Sequence, residues 1–133
     1  MRIIKETSTN NENKKANMEF CPVYFALDRI GGRWKPLIIW NLRSGHKRYS
    51  ELKKLIPGIT EKMLIQHLKQ LEADGLVTRE VVNIMPPHVE YELSECGKEI
   101  IPALDAMALW GLKNRGKAAS VQEESVELFY TGS

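Results

Sequence analysis

The segment from Ser50 to Glu80 constrains the fold most: SELKKLIPGITEKMLIQHLKQLEADGLVTRE. It contains two short amphipathic patterns that meet at Pro57-Gly58, a dipeptide typical of a tight turn. The second pattern ends at Gly75, a residue type that commonly terminates helices, and the chain then runs directly into Val77. The segment therefore predicts two helices held at a fixed angle and followed by a strand. It also raises the question of what the polar outer side of the second helix contacts.

Hydrophobic periodicity and capping residues predict the other elements. We expect helices at about 22–30, 34–42, 50–56, 61–74 and 95–114, and strands at about 46–49, 77–82 and 89–93. Ser50, Thr60 and Ser94 are predicted N-caps, and Pro102 is expected to bend the last helix. The last two strands form a hairpin whose loop, 83–88, is too long for a two-residue turn. The resulting fold class is α+β and mainly helical.

Apolar spacing predicts which side of each helix is apolar. In the first helix the stripe comprises Val23, Ala26, Leu27 and Ile30. In the two helices that meet at Pro57-Gly58, the inward positions are Leu52, Leu55, Ile56, Leu64, Leu68 and Leu71.

Composition limits the class of protein. A chain of 133 residues fits one domain, and its longest uncharged apolar run, Phe20 to Leu27, is too short to span a membrane. The N-terminus lacks an apolar stretch of signal-peptide length, so we expect a soluble, cytoplasmic protein without a membrane partner. The two cysteines, Cys21 and Cys96, form neither a disulfide framework nor a zinc pattern with the histidines, so no metal and no cofactor is predicted.

Charge is concentrated in one part of the chain. Between Arg33 and Lys54 there are seven basic residues and one acid, although the whole chain carries a net charge of only +2. Such a cluster indicates either a surface for an anionic partner or an ordinary solvated face.

The helix at 61–74 has the dimensions and chemistry of a DNA-reading helix. Opposite its leucines lie Lys62, Gln66 and Lys69, which can donate hydrogen bonds to phosphates or base edges. A major groove about 12 Å wide admits one such helix, while the preceding helix rests across the DNA backbone. The alternative to a DNA-reading helix is an ordinary surface helix whose polar side chains are solvated. The predicted recognition residues are Thr60, Lys62, Met63, Ile65, Gln66, His67 and Lys69.

A helix-turn-helix followed by a hairpin is the layout of a winged helix, with the loop at 83–88 as the wing. The loop is poor in donors and contains the apolar run Met85-Pro86-Pro87, so it either contacts DNA or only joins the strands. The predicted backbone and wing contacts are Lys47, Arg48, Ser50, Lys53, Lys54, Arg79 and His88.

These residues carry a family resemblance. The motifs CPV, IGGRW, RYSELKKLIPGIT, LKQLEADGLVTR, PPHVEYELSECG and LDAMALWG lie between Cys21 and Gly111, and together they resemble the HxlR-type winged helix-turn-helix transcriptional regulators, relatives of the MarR group. The resemblance implies a winged-helix domain, which we place at 18–115. Residues 1–17 are polar and lack periodicity, so we expect a mobile N-terminal arm there, and residues 116–133 form a C-terminal tail. The resemblance also implies a homodimer on a double-stranded DNA operator, with dimer contacts from the first helix and the last long helix.

The resemblance also implies control by an oxidant, an electrophile or another small-molecule effector, and this sequence departs from the family in one respect. Cys21 precedes Pro22 at the start of the first helix, where the helix dipole favours a reactive thiolate. The resemblance implies a sensor at Cys21, because several family members use a cysteine there to sense oxidants, electrophiles or aldehydes; the alternative is a small, buried apolar residue with an ordinary thiol. Family members also often carry several arginines on the recognition helix. Here lysine, glutamine and histidine stand instead, which implies weaker or less guanine-dependent recognition.

Two other functional classes compete with a DNA-binding regulator. A winged-helix module that binds protein rather than specific DNA fits the arginine-poor helix and the apolar wing. An enzyme has no support, because no nucleophile–base spacing, phosphate loop or set of paired carboxylates is present. Trp34, Trp40 and Trp110 either line an effector pocket or fill the core and an interface, and Trp110 is the expected interface residue. Cys96 is expected to be structural.

Overall fold

The computed structural model describes residue 18 and residues 20–118. The chain divides into two compact units, one that ends at Gly32 and one that begins at Arg33. The predicted arm at 1–17 lies outside the described residues, as does most of the predicted tail. The boundaries predicted for the domain therefore stay a prediction.

The described elements match the predicted order and confirm an α+β, mainly helical fold. They are α1 Pro22–Ile30, α2 Lys35–Asn41, β1 Lys47–Arg48, α3 Tyr49–Leu55, α4 Glu61–Ala73, β2 Val77–Val82, β3 His88–Leu93, α5 Glu95–Lys98 and α6 Ile101–Ala118. The strands form one antiparallel sheet in the order β1-β3-β2. The second helix and the hairpin strands thus lie within about one residue of their predicted positions.

The turn between α3 and α4 is held by buried isoleucines on both sides of Pro57-Gly58. Ile56 and Ile59 are almost fully buried, and the Ile59 N–H donates to the Ile56 carbonyl at 3.3 Å. Gly58 has φ +88°, a conformation that favours glycine. The angle between the two helices is therefore fixed by packing as well as by the turn itself.

Helix α4 is buried along the predicted side. Leu64, Leu68 and Leu71 are at most 1% exposed, and they share the core with Ile38 and Ile39 of α2, which are fully buried. The Thr60 side chain accepts a hydrogen bond from the Met63 N–H at 3.1 Å, which confirms it as the N-cap. Gly75 follows the helix with φ +75°, as expected for a residue beyond a helix C-terminus.

Two predictions for α3 are wrong. The N-cap is Arg48 and not Ser50, since the helix already begins at Tyr49. The Glu51 carboxylate accepts the Arg48 backbone N–H at 2.9 Å and satisfies it from within the first turn, so no Ser50 cap is needed. Leu55 is 41% exposed, because the chain leaves the helix at that residue and buries Ile56 instead.

The last helix is broken where a bend was predicted. Ser94 caps only the four residues of α5, and α6 begins at Ile101 with Pro102 in its first turn. Proline has no N–H to donate and its ring crowds the preceding turn, so the helix restarts at this point rather than bending through it.

Ser94 and Gly97 hold the chain close to the end of α4. The Ser94 hydroxyl donates to the Gly75 carbonyl at 2.6 Å, and its oxygen accepts the Gly97 N–H at 3.0 Å. A Cβ on Gly97 would collide with the Leu76 carbonyl oxygen. A side chain is therefore excluded at this seam between α5 and the start of β2.

The sheet has two faces of different character, because side chains alternate along a strand. Val77 pairs with Leu93 on the face that contributes to the core, and both are buried. The opposite face carries Glu90, which pairs with Glu80 on β2 and with Arg48 on β1.

Helix α1, in the unit that ends at Gly32, contains no buried residue. Its predicted apolar stripe is present, yet Val23 is 65% and Leu27 60% exposed. The Arg29 guanidinium lies 3.8 Å from the centre of the Phe25 ring and bonds to Asp28 at 3.1 Å. Within the described residues, Val23 and Leu27 of this stripe are open to solvent, whereas Ala26 and Ile30 are half-buried.

Candidate nucleic-acid interface

The outer side of α4 is exposed along its length. Lys62, Gln66 and Lys69 all lie on this side, opposite the buried leucines. The helix of 13 residues is roughly 20 Å long, enough to lie along a groove. Although the Thr60 oxygen is used as the cap, its hydroxyl proton remains available to donate to a phosphate.

The other predicted recognition residues differ in exposure. Ile65 is 44% exposed, whereas Met63 and His67 are half-buried at the edges of the helix. The His67 Nδ1 atom is buried, with no hydrogen-bond partner among the described residues. His67 is therefore the least accessible polar member of the predicted set.

The strand residue Arg79 lies beside α4. A surface depression of about 230 Å³ is lined by Ile65, Lys69, Glu72, Arg79 and Tyr91. The structure thus brings Arg79 together with two predicted recognition residues. It also places Glu72 there, whose carboxylate opposes an approaching phosphate. The helical spacing from Lys69 to Glu72 could have revealed this neighbour.

The predicted backbone contacts around α3 differ in exposure. Arg48 at the end of β1 is exposed, as are Ser50 and Lys54 on α3, whereas Lys53 on α3 is half-buried. Lys47 is also half-buried, and its Nζ donates to the Ser44 hydroxyl at 3.0 Å. These residues lie on or next to the first helix of the helix-turn-helix.

Arg43 belongs to the basic cluster in sequence but serves the fold. Its guanidinium lies 3.8 Å from the centre of the Trp40 ring, and Nη1 donates to the Trp40 carbonyl at 2.7 Å. Burial lowers the pKa of Arg43, and the nearby Asp105 carboxylate opposes that shift. Charge counting along the chain therefore overstates the free positive surface.

Tyr49 connects the start of α3 to the start of α4, a contact not predicted from the sequence. Its hydroxyl donates to the Glu61 carbonyl at 3.4 Å. Burial raises the pKa of Tyr49. The negative charge of the Glu61 carboxylate and that of an ionised Tyr91 raise it further.

His88 is the first residue of β3 and is held at the base of the wing. Its Nδ1 lies 3.0 Å from the Pro86 carbonyl oxygen and its Nε2 lies 2.9 Å from Glu90 Oε2. The hydrogen bond to Pro86 raises the pKa of His88, and that to Glu90 raises it as well. The bond from His88 in turn lowers the pKa of Glu90.

His46 approaches the other oxygen of the Glu90 carboxylate. Its Nε2 lies 3.9 Å from Glu90 Oε1, and its side chain is largely exposed. Neither His46 nor Glu90 was among the predicted site residues. The alternation in HVEYEL, which puts His88 and Glu90 on one face of a strand, is the signal that could have identified the pair.

The tip of the wing is apolar and open. Ile84 is 73% and Met85 87% exposed, in the loop between β2 and β3. A phosphate has no cationic partner on these two side chains.

An apolar groove of about 270 Å³ lies between α2 and α6. Leu37 and Trp40 line one side, Leu104 and Met107 the other, and Arg115 lies along the wall. Trp110, the expected interface residue, is 69% exposed on α6. Trp34 is half-buried at the start of α2 and lies 3.7 Å from a Cβ built on Gly58.

The two cysteines are free and exposed. Cys21 is the N-cap residue of α1, next to Pro22 in the first turn, as predicted. Cys96, expected to be structural, is exposed on α5. Within residues 20–118, no three His, Cys, Asp or Glu side chains form a group that could hold a metal ion. None of the described helices combines the length and hydropathy needed to cross a membrane.

Known proteins are similar to this chain in sequence and in architecture. Residues 29–119 match the family model for the HxlR-like helix-turn-helix. The chain is 50% identical over 119 residues to the HTH-type transcriptional regulator YtcD of Bacillus subtilis, a match that covers 86% of this chain and 92% of YtcD.

Two solved structures add a structural comparison. The redox regulator HypR in its oxidised form has a TM-score of 0.68 and 46% identity, covering 71% of this chain and 97% of that one. The reduced form of the transcriptional regulator YodB from B. subtilis has a TM-score of 0.62 and 38% identity, covering 69% of this chain and 91% of that one. The exposed side of α4, the adjoining hairpin and these matches agree: the chain belongs to the HxlR-like helix-turn-helix family and is a transcriptional regulator with a winged-helix fold, not an enzyme.

Proposed function

We propose that this regulator acts as a homodimer that binds a specific double-stranded DNA operator, with α4 in the major groove and the wing at the neighbouring backbone. One observation carries the proposal: α4 is clamped on one side by buried leucines and presents Lys62, Gln66 and Lys69 to solvent on the other. A helix held in this way can enter a groove without losing its contacts to the core.

The side chains divide by role. Lys62, Gln66 and Lys69 are assigned to base edges, since glutamine bonds adenine through two hydrogen bonds and lysine donates to guanine. Arg48, Lys53, Lys54 and Arg79 are assigned to phosphates, which position the protein without reading sequence. Thr60, Met63, Ile65 and His67 complete the recognition helix, Lys47 and Ser50 complete the backbone set, and His88 belongs to the wing, at its base.

The dimer is supported by apolar surface that the described chain leaves uncovered. Helix α1 exposes Val23, Phe25 and Leu27, and helix α6 exposes Met107 and Trp110. Apolar patches of this kind commonly mark interfaces, and two recognition helices double the contacts to a symmetric operator. We place the dimer contacts on α1 and α6.

Control by thiol oxidation is proposed at Cys21. The thiol is exposed at the N-cap of α1, where the helix dipole stabilises negative charge. Two similar proteins are described as a redox regulator and as a diamide-treated regulator. An oxidant or electrophile is the effector class that this thiol would meet.

The first experiment identifies the operator and then measures how salt weakens binding. DNA fragments retained by the protein from its source genome are sequenced, and affinity for the enriched site is measured across salt concentrations. Specific binding should weaken steeply with salt, because each neutralised phosphate releases counterions. Gln66→Ala should change which bases are preferred, whereas Lys53→Ala should weaken all sequences alike.

The exposed apolar wing tip favours a second candidate, a winged-helix module that binds another protein. Weak binding that changes little with salt on every duplex tested would support that module. Unchanged operator binding after replacement of Lys62, Gln66 and Lys69 together would overturn the assignment of α4 to the groove.

The thiol proposal has its own test. Cys21→Ser should keep the affinity for DNA under reducing conditions and lose the response to diamide, while Cys96→Ser serves as the matched control and keeps it. A diamide response that persists in Cys21→Ser excludes Cys21 as the sensor.

A further inference from the structure

The ring of His88 lies between two oxygen atoms that can only accept hydrogen bonds. The Pro86 carbonyl oxygen is 3.0 Å from Nδ1, and the Glu90 carboxylate oxygen is 2.9 Å from Nε2. The side chains of His88 and Glu90 are 18% and 23% exposed, so both are partly shielded from water.

Only one protonation state of the ring satisfies both contacts. A neutral imidazole has one N–H and one lone pair, so one of its nitrogens would present a lone pair to an oxygen. The imidazolium has two N–H groups and donates to both oxygens. The two distances therefore fit the charged ring, in which loss of one proton would turn one attraction into a repulsion.

These two bonds connect the wing loop to the sheet. Pro86 lies in the loop, His88 is the first residue of β3 and pairs with Val82 at the end of β2, and Glu90 lies two residues further along β3. The His88 ring thus joins the wing loop, through Pro86, to strand β3, through Glu90.

Charged groups from every neighbouring element surround the pair. Arg48 on β1 and Glu80 on β2 pair with Glu90 across the sheet, His46 lies before β1, and Glu92 follows on the same face of β3. The charge of Arg48 disfavours the imidazolium, whereas Glu90 favours it. Burial of the ring also lowers the pKa of His88, by more than Arg48 does, but the two hydrogen bonds outweigh both, since the pKa is raised overall.

We propose that His88 is a positioning residue for the wing, which it holds in its DNA-binding shape only as the imidazolium, so that operator affinity falls as pH rises. The proposal rests on the proposed function, because it assumes that the wing contributes to DNA binding. DNA phosphates stay ionised across the neutral range, so the pH dependence comes from the protein.

The first arm of the test needs no DNA. In long-range proton–nitrogen NMR spectra of the free protein, both His88 ring nitrogens should be protonated at about pH 6 and one should lose its proton towards about pH 8.5. The backbone amides of Asn83, Ile84 and Met85 should shift with the same midpoint. A ring that is neutral throughout, or loop amides that ignore its titration, would overturn the inference.

The second arm measures operator affinity at the same pH values. Wild-type protein should lose roughly tenfold in affinity, the size expected for one charge-assisted hydrogen bond. His88→Gln donates one bond and does not titrate, so its affinity should stay flat at the weaker level. The matched control His46→Gln should keep the wild-type pH dependence of operator affinity. If this variant lost the pH dependence, the assignment to His88 would be contradicted.

A third pair of variants separates positioning from simple attraction to phosphate. If His88 acted only as a positive charge, Glu90→Ala would remove a nearby negative charge and tighten binding. Positioning predicts the opposite, because the ring loses its acceptor and the wing loosens. Glu80→Ala removes a negative charge from the same face without that acceptor, and it should leave binding unchanged or tighter.

Failure of this inference is distinguishable from failure of the proposed function. If no duplex binds at any pH, the DNA-binding proposal fails while the NMR arm still decides whether the ring controls the wing. If the operator binds with the same affinity at every pH, the inference fails while the DNA-binding proposal stands.

Discussion

Helix α4 and the wing are held in place by different interactions. Leu64, Leu68 and Leu71 fix α4 through contacts that do not depend on pH. The wing ends in the exposed residues Ile84 and Met85, and the two hydrogen bonds of one histidine close its base. The core therefore fixes the position of α4. By the inference above, the position of the wing depends on the pH of the solution.

The largest effect should come from the buried side of α4. Leu68→Ala should lower the free energy of unfolding by about 2–5 kcal/mol, because it removes core contacts and leaves a cavity. Ile65→Ala, on the exposed side of the same helix, should cost less than about 1 kcal/mol. Urea denaturation measures both; equal losses would mean that α4 is not held by its leucine side.

A smaller effect should follow from loss of the α4 cap. Thr60→Ala should destabilise the protein by about 1 kcal/mol, because the Met63 N–H loses its acceptor. Ser50→Ala is the matched control and should stay within about 0.5 kcal/mol, because Ser50 is not the α3 cap. A larger loss at Ser50 than at Thr60 would reverse this assignment.

The wing should make thermal stability depend on pH. The pKa of His88 is raised by folding, so its contribution is complete below about pH 6.5 and is lost as pH rises through the raised value. The pKa of Glu90 is lowered, so its contribution is lost as pH falls through that lowered value. The wild-type Tm should fall between neutral and alkaline pH more than that of His88→Gln; parallel curves would contradict the role of the ring.

The smallest effect should come from the like-charged pair across the hairpin. Glu80 and Glu90 are directly opposite each other, and like charges in such pairs are destabilising. Glu80→Gln should therefore raise the Tm slightly at neutral pH, by less than the loss caused by Thr60→Ala. A fall in Tm would show that Glu80 has a stabilising partner on this face.

Much of the fold could be predicted, because its signals are local. The leucine spacing of α4, its Thr60 cap and the glycine after it agree with one another, and the structure has all three. The hairpin strands were predicted within one residue for the same reason. The prediction of a winged helix followed from this order of elements.

The errors came from competition between nearby groups. Ser50 is a good capping residue, but the Glu51 carboxylate satisfies the Arg48 N–H and the helix starts earlier. Pro102 was expected to bend one long helix, yet it suits the first turn of a new one. In both places the sequence allows two local structures, and the one that packs better forms. The sequence pattern alone does not show which of the two that is.

The candidate interface was predicted as a set of residues but not as an arrangement. The sequence predicted that Arg79 could reach a phosphate, but not that it lies beside Ile65 and Lys69, because that contact joins a strand to a helix. It also did not predict that Arg43 would stack on Trp40 or that His88 would face Glu90. These contacts depend on strand register and packing, which are not local.

The one-sided burial of α4 has an evolutionary consequence. Because the residues that hold the helix and the residues that face outward are separate, mutations at Lys62, Gln66 or Lys69 do not disturb the leucine contacts. If α4 reads DNA as proposed, duplicated copies of such a gene can diverge toward new DNA sequences while keeping the leucine contacts that hold the helix to the core.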